Sequence, residues 1–284
     1  AANLLNVTQP TITVNIRNLE ERFGAPLFER TARGMVLTEC GTILYDHARI
    51  MSRLESQAHK EIERKLANQT EILSLGTGDA WWRLFVGQAI ERQHREMPNA
   101  TIRIETGSNL QCMWMLLAGE VTASIGHSIP LLDQGLGIEF VGLFKARDCF
   151  FVQKNHPLAG SSISVSSLAD YHCISTVHFS RKLHGFLTST DEQQQIGKAN
   201  LHQPTITCNS IHACIDLVKM TNGYTVFPED MAPMLALYDL RPLSLGHPLE
   251  AKTVGIYFRS ETREDRQAYR LIELIIEAAR EYRT

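Results

Sequence analysis

The sequence predicts a mixed α/β protein in three parts: an N-terminal helix-turn-helix with a hairpin wing, a long linker helix, and a two-lobed α/β domain. Three observations predict it. A short capped helix with one polar and one apolar face precedes an Arg-bearing hairpin, a stripe of apolar residues then runs through nearly thirty positions, and strands alternate with helices from Ile72 onward. The length of 284 residues accommodates two or more cored domains, and 44% apolar content excludes a disordered tail or a fibre. The net charge of −3 excludes a uniformly basic nucleic-acid coat. It is unevenly spread, at +1 over residues 1–69 and −4 over residues 70–284, so any DNA affinity is local.

In chain order, Ala1 to Leu5 reads as the end of a helix and Asn6-Val7 as a turn. Thr8 is the expected N-cap of a second helix, with Pro10 in the first turn, where its missing N–H is not needed. Ile12, Ile16, Leu19 and Phe23 recur every three or four residues as an inward stripe, and Gly24 is the left-handed stop. Gln9, Thr13 and Arg17 lie on a different face. In helix-turn-helix geometry the N-terminal residues of such a helix meet base edges in the major groove. Leu27 to Thr38 then reads as two short strands around Ala32-Arg33-Gly34, which places Arg30 and Arg33 where guanidinium groups reach phosphates or a narrow minor groove.

These residues carry a resemblance. Leu5-x-Val7-Thr8-Gln9-Pro10-Thr11-x-Thr13-x-x-Ile16-x-x-Leu19-Glu20, then Phe23-Gly24-x-Pro26-Leu27-Phe28-Glu29-Arg30, then Gly34-x-x-Leu37-Thr38-x-x-Gly41 resembles the winged helix-turn-helix of LysR-type transcriptional regulators. The resemblance implies double-stranded operator DNA as partner. Its DNA-contacting positions would be Thr8, Gln9, Pro10, Thr11, Thr13, Val14 and Arg17 on the recognition helix, and Arg30, Thr31 and Arg33 on the wing. Many members have Arg where this chain has Val14, which exchanges a polar contact for an apolar one. It also implies that the family's first helix and most of its second precede Ala1, so the DNA-binding domain, residues 1–38, is truncated at its start.

Thr38 is the expected N-cap of the linker and dimerisation helix, residues 39–69. Leu44, Ala48, Met51, Leu54, Ala58, Ile62 and Leu66 form its stripe, which requires a partner such as a second copy of the chain.

Residues 70–284 read first as β-α-β-α-β, which implies a parallel sheet wrapped by helices, and then as a second group of strands and helices. The first group comprises strands Ile72 to Gly76, Thr101 to Thr106 and Val121 to Gly126, with helices Trp81 to Met97 and Asn109 to Ala118. The second has strands near Cys149 to Gln153, Cys173 to Thr176, Pro204 to Cys208 and Tyr224 to Phe227. Its helices lie near Ser166 to Ala169, Ser180 to Gln194 and Ile211 to Thr221. A final strand, Lys252 to Phe258, and helix, Arg263 to Tyr282, return to the first lobe. The expected lobes are residues 70–146 with 250–284, and residues 147–249. This pattern resembles the periplasmic-binding-protein-like effector domain of the same family, which implies a small-molecule effector of unknown identity between the lobes.

Ligands in open α/β sheets sit beyond the carboxyl ends of strands. The candidates are Thr77, Gly78 and Asp79 after the first strand, Ser108 and Asn109 after the second, His127 and Ser128 after the third, and then Thr176, His178, Asn209 and Phe227. Each alone is more readily a cap or loop residue than a ligand contact; their common placement at strand ends makes the set stronger than its members. Asp79 at a helix start caps by its charge; turned to the cleft, it would oppose a carboxylate and favour an amine or hydroxyl. Trp81 and Trp82 either stack on a ligand or pack.

No nucleophile elbow, phosphate loop, zinc-protease motif or dinucleotide fingerprint is present, so a non-enzymatic role with no metal and no cofactor is expected. No secretion signal or membrane-spanning run is present either, so a cytoplasmic, membrane-independent protein is expected. A homodimer or homotetramer that touches RNA polymerase indirectly is the expected assembly. The alternatives are a stand-alone small-molecule binder and a redox sensor. The latter rests on Cys208 and Cys214, the closest pair among six cysteines with no zinc spacing.

Overall fold

The computed structural model describes residues 8–31, 34–66, 72–129, 137–160, 162–176 and 204–284. The expected helices Ala1 to Leu5 and Ser180 to Gln194, the hairpin tip at Ala32-Arg33, and His178 lie outside the described residues. The chain forms two compact units, Ala1–Ala58 and His59–Thr284.

In the first unit, α1 (Gln9–Phe23) starts at Thr8, whose hydroxyl accepts from Thr11 N at 3.4 Å, and stops at Gly24 with φ +66°. The antiparallel hairpin β1 (Phe28–Thr31) and β2 (Gly34–Leu37) follows. One Glu20 carboxylate oxygen fastens it to α1 by accepting from Leu27 N at 2.7 Å and Phe28 N at 3.2 Å. The predicted inward stripe of α1 is only partly covered. Ile12 and Ile16 are half-buried, whereas Leu19 and Phe23 are 37% and 53% exposed, and the buried apolar side chain of the unit's described residues is Leu27. The linker helix α2 (Glu39–Leu66) begins at Thr38, whose hydroxyl accepts from Gly41 N at 3.0 Å. Of its stripe, Leu44 is half-buried, and Ala48, Met51 and Ile62 are exposed; Leu54, Ala58 and Leu66 lie outside the described side chains.

The second unit holds two five-stranded sheets. The first consists of β3 (Ile72–Thr77), β4 (Thr101–Thr106), β5 (Ala123–His127), β6 (Ile138–Ala146) and β14 (Lys252–Arg259), in the order β4-β3-β5-β14-β6. The expected parallel arrangement holds for β4, β3 and β5; β14 runs antiparallel to both β5 and β6. β6 is a strand that the sequence reading did not predict. One face of the sheet packs on α3 (Asp79–Trp81), the π-helical turn Trp82–Val86, α4 (Gly87–Glu96) and the last helix, α8 (Arg266–Arg283), around Phe85, Leu75, Ile256, Leu271 and Ile275. The other face packs on α5 (Asn109–Leu117), around Leu116, Met113 and Tyr257.

The second sheet consists of β7 (Asp148–Gln153), β9 (Cys173–Ser175), β10 (Ile206–Thr207), β11 (Tyr224–Pro228) and β12 (Leu240–Pro242), in the order β10-β9-β11-β7-β12. Here too the parallel pairs β10-β9 and β9-β11 give way to antiparallel β7 and β12. A two-stranded pair, β8 (Ser162–Ile163) and β13 (Ser244–Leu245), lies beside it. Helices α6 (Ile211–Thr221) and α7 (Ala232–Ala236) cover one face around Phe151, Ile215 and Phe227.

The chain passes between the sheets twice, at Arg147 from β6 to β7 and over residues 246–251 from β13 to β14. Among the described residues, contacts away from these crossings also hold the lobes together. Ala80 at the start of α3 packs into the core of the second lobe. The Arg283 guanidinium, at the end of α8, donates to both carboxylate oxygens of Asp230 at 3.2 and 3.1 Å and lies over the Phe144 ring at 4.5 Å.

Candidate functional site

The N-terminal face of α1 is open. Thr8, Gln9, Pro10, Thr11, Thr13, Val14 and Arg17 are all exposed, as are Arg30 and Thr31 on the hairpin; Arg33 lies outside the described residues. Local bonds already use several of these groups. Thr8 and Thr11 share a hydroxyl-hydroxyl bond of 2.8 Å, and the Thr13 hydroxyl donates to Gln9 O at 3.1 Å. The Thr31 hydroxyl donates to Gly34 O at 2.9 Å, and Arg17 pairs with Glu21 at 3.0 Å. An i,i+4 ion pair between side chains 78% and 62% exposed stabilises by a few tenths of a kcal/mol and gives way readily to a phosphate. Val14, 56% exposed, is positioned for apolar rather than polar contact.

In the second unit, the strand-end residues separate into caps, core and a junction group. Ser108 is a cap: its hydroxyl accepts from Gln111 N at 3.2 Å, and the Gln111 side chain returns the bond to Ser108 N at 2.9 Å. Thr77 is fully buried, its hydroxyl donating to Gly78 O at 3.3 Å. Phe227 and Trp81 are core, each 5% exposed. Trp81 meets the rings of His127 and Phe144 edge-on, at 5.4 and 6.0 Å, so it packs rather than offering a face to a ligand, and Trp82 is half-buried against the same core. Asn209 is exposed and Thr176 half-buried on the second lobe, and Ser128 N bonds Thr253 O at 2.7 Å.

The junction group comprises Gly78, Asp79, Asn109 and His127, joined by two residues that the sequence reading missed, Asp148 and His212. His127 ends β5 in the first lobe, and its Nε2 lies 4.0 Å from Asp148 Oδ1 at the start of the second lobe's β7. The His127 carbonyl accepts from Asn109 Nδ2 at 3.1 Å and from the Tyr257 hydroxyl at 3.1 Å. Asn109 Oδ1 and His127 Nδ1 are buried with no hydrogen-bond partner among the described residues. Asp79 is half-buried, and no described residue hydrogen-bonds its side chain. It supplies no capping hydrogen bond, and lies in the first turn of α3, where its charge faces the helix start. Burial raises its pKa, opposed by the nearby charges of Arg83 and of His212 on α6. The His127–Asp148 pair thus bridges the lobes, and the His212 charge on the second lobe acts on Asp79 of the first. No local spacing announces them, because each joins residues from separate elements.

Burial lowers the His127 pKa; the Asp148 carboxylate opposes the shift and Lys252 reinforces it. Burial lowers that of His156 as well. Below the unfolded value of about 6.5, the unfolded chain gains protons that these folded side chains resist, so stability is present above that value and lost as pH falls below it. The melting temperature of the second unit should fall between about pH 7.5 and about pH 5.5, and His127→Gln should flatten the slope. An unchanged slope in that variant refutes the assignment. Among the described residues, no three His, Cys, Asp or Glu side chains group at metal-binding distance. No helix of the described residues is long and apolar enough to cross a membrane.

Residues 67–280 match the family model described as LysR substrate binding domain, and residues 1–42 match that described as bacterial regulatory helix-turn-helix protein, lysR family. Among curated proteins, the chain is 28% identical to the uncharacterised HTH-type transcriptional regulator YdcI of Escherichia coli, over 60% of this chain and 55% of that protein. It is 30% identical to the regulator AlsR of Bacillus subtilis, over 60% of this chain and 56% of that one. A 25% identical match to YbhD of Escherichia coli covers 97% of this chain and 85% of that protein. In the first three matches the chain spans little more than half of the relatives' length, 53–57%. Similar folds include an H2O2-bound OxyR mutant of Corynebacterium glutamicum, with TM-score 0.53 and 19% identity over 99% of this chain and 87% of that one. The effector-binding domain of QuiR in complex with shikimate has TM-score 0.55 and 20% identity over 75% of this chain and 99% of that one.

Proposed function

The chain belongs to the LysR family of bacterial helix-turn-helix regulators, and on that premise we propose that it is a ligand-responsive, sequence-specific DNA-binding transcriptional regulator. The observation that carries the reading is an exposed polar helix start, Gln9-Pro10-Thr11 with Thr13, on the same small unit as an Arg30-bearing hairpin, in a chain that also holds a two-lobed α/β domain. It works in the cytoplasm as a dimer or tetramer, contacts RNA polymerase indirectly, and catalyses no reaction. Its effector is a small molecule held between the lobes around Asp79, Asn109 and His127. An unpaired half-buried carboxylate there favours an amine or hydroxyl over a second carboxylate. Effector binding shifts the lobe angle, and with it the spacing of the paired recognition helices on the operator.

Selection of operator fragments followed by anisotropy titration at several salt concentrations tests the reading. Gln9→Ala should reduce discrimination between the selected site and its single-base variants by about tenfold, and Arg30→Ala should weaken all sequences alike and lower the salt slope by about one. If both variants bind like the parent at every salt concentration, the DNA assignment is wrong.

A further inference from the structure

A cavity of about 640 Å³ lies where the chain crosses between the lobes. The first lobe supplies Lys145, Tyr282 and Arg283 to its wall, the first crossing supplies Arg147, and the second lobe supplies Glu229 and Asp230. Ala251 brings the second crossing to the same wall. The size falls within the roughly 300–1,000 Å³ that small-molecule sites occupy. None of Asp79, Asn109, His127 and Asp148 lines it, so it is separate from the junction group. Arg147 and Asp148 are consecutive, and consecutive side chains along an extended chain point to opposite sides. Asp148 turns to His127, and Arg147 to the cavity.

The charges of this wall are not balanced. Arg283 is fully committed: besides the two bonds to Asp230, its guanidinium donates to Lys145 O at 3.1 Å and lies over the Phe144 and Tyr282 rings at 4.5 and 5.0 Å. That pairing neutralises Asp230. Arg147 Nη1 lies 3.9 Å from Glu229 Oε2, beyond hydrogen-bonding distance, and both side chains are exposed. Lys145 is exposed and has no ion pair among the described residues. Two cations therefore face one loosely held carboxylate, in a stretch, residues 70–284, whose overall charge is −4. A local surplus of positive charge on a concave wall attracts an anion, and the guanidinium fork matches the paired oxygens of a carboxylate or phosphate.

We propose that this cavity binds a small organic anion bearing a carboxylate or phosphate, with its charge seated on Lys145 and Arg147. Glu229 competes with the anion for Arg147. The remainder of the occupant reaches Ala251, so that one molecule touches both crossings and restrains movement of the lobes about them.

Pyrophosphate and citrate, titrated separately into the full chain at constant ionic strength with chloride as the balancing anion, test the site and distinguish the two sources of charge. Melting of the two units is followed separately, which sets aside any phosphate bound at α1. At a tenfold excess over its dissociation constant, at least one probe should raise the melting temperature of the second unit by about 3–6 °C along a single-site saturation curve. Lys145→Met and Arg147→Met should each weaken that probe by about tenfold, and Glu229→Gln should tighten it by about threefold. The Lys145 side chain is exposed and unpaired among the described residues, so its replacement leaves the fold intact whatever Arg147→Met does at the crossing. Neither probe exceeding chloride overturns the proposal. A shift that persists undiminished in Lys145→Met overturns it too, as the mark of an adventitious ion only. Unchanged affinity in Glu229→Gln overturns the seat at Arg147. Amide exchange over residues 146–148 and 251–253 should slow by about tenfold in the probe-bound parent and not in the Lys145→Met, Arg147→Met double variant. Binding without that slowing overturns the restraint.

Discussion

Replacing Gly41 by alanine is expected to abolish operator binding while leaving the melting of the second unit unchanged. A Cβ at this position, in the first turn of α2, would fall 1.9 Å from Leu27 O, 2.8 Å from Leu27 C and 3.2 Å from Leu27 Cα. All three are main-chain atoms, so no rotamer change relieves the overlap. Leu27 is also the buried apolar anchor of the unit's described residues, and its carbonyl accepts from Thr38 N at 3.0 Å. The Thr38 hydroxyl donates to Pro26 O at 2.7 Å and accepts from Gly41 N at 3.0 Å. Separating α2 from the hairpin strand by the required distance breaks this set, each bond contributing about 1 kcal/mol, and uncovers Leu27. A loss of about 3 kcal/mol or more is large for a unit with so thin a core. Calorimetry of the full chain, with its two units followed separately, together with anisotropy on the selected operator, checks this. An alanine variant that binds within twofold of the parent refutes it.

Gly41 illustrates how unevenly the sequence disclosed this protein. Its place in the motif was legible, but the reason for glycine was not, since that reason is the approach of a carbonyl fourteen positions earlier. Local signals were reliable: Thr8, Gly24 and Thr38 delimit their helices because capping and left-handed stops involve neighbours in sequence. Strand β6 escaped notice because it is an edge strand with mixed exposure, and its partner β14 lies more than a hundred residues later. The antiparallel direction of β14 was hidden for the same reason. Ser108 with Gln111 was readable as a capping box, yet placement at a strand end drew it into the ligand set. The junction of Asp79, His127, Asp148 and His212 was half legible. Strand-end position indicated the two residues of the first lobe, whereas their counterparts emerge only once the chain has crossed between the lobes.

Gly255→Ala should have the complementary effect, lowering the melting temperature of the second unit and its effector response while sparing the first unit. Gly255 occupies β14 between β5 and β6, at the register shift beside Val254. A Cβ there would lie 2.2 Å from Phe140 Cε2 and 2.5 Å from Val141 O. The Phe140 ring, 38% exposed, can swing outward, although this ends its contact with Tyr257 at a centroid distance of 4.5 Å. The Val141 carbonyl cannot yield without opening the β6–β14 pairing. Both strands lead directly into the crossings between the lobes, and Tyr257 on β14 holds His127 O and Ile129 N through its hydroxyl. The strain therefore reaches the junction itself. Overpacking of this kind costs about 1–3 kcal/mol, and for a unit of this size each kcal/mol lowers the melting temperature by roughly 2–4 °C. Because Gly41 and Gly255 lie in separate units with no shared partners, the double variant should show the sum of the two losses. A Gly255→Ala protein that melts with the parent would mean that Val141 shifts without cost, and that β6 and β14 do not set the geometry of His127.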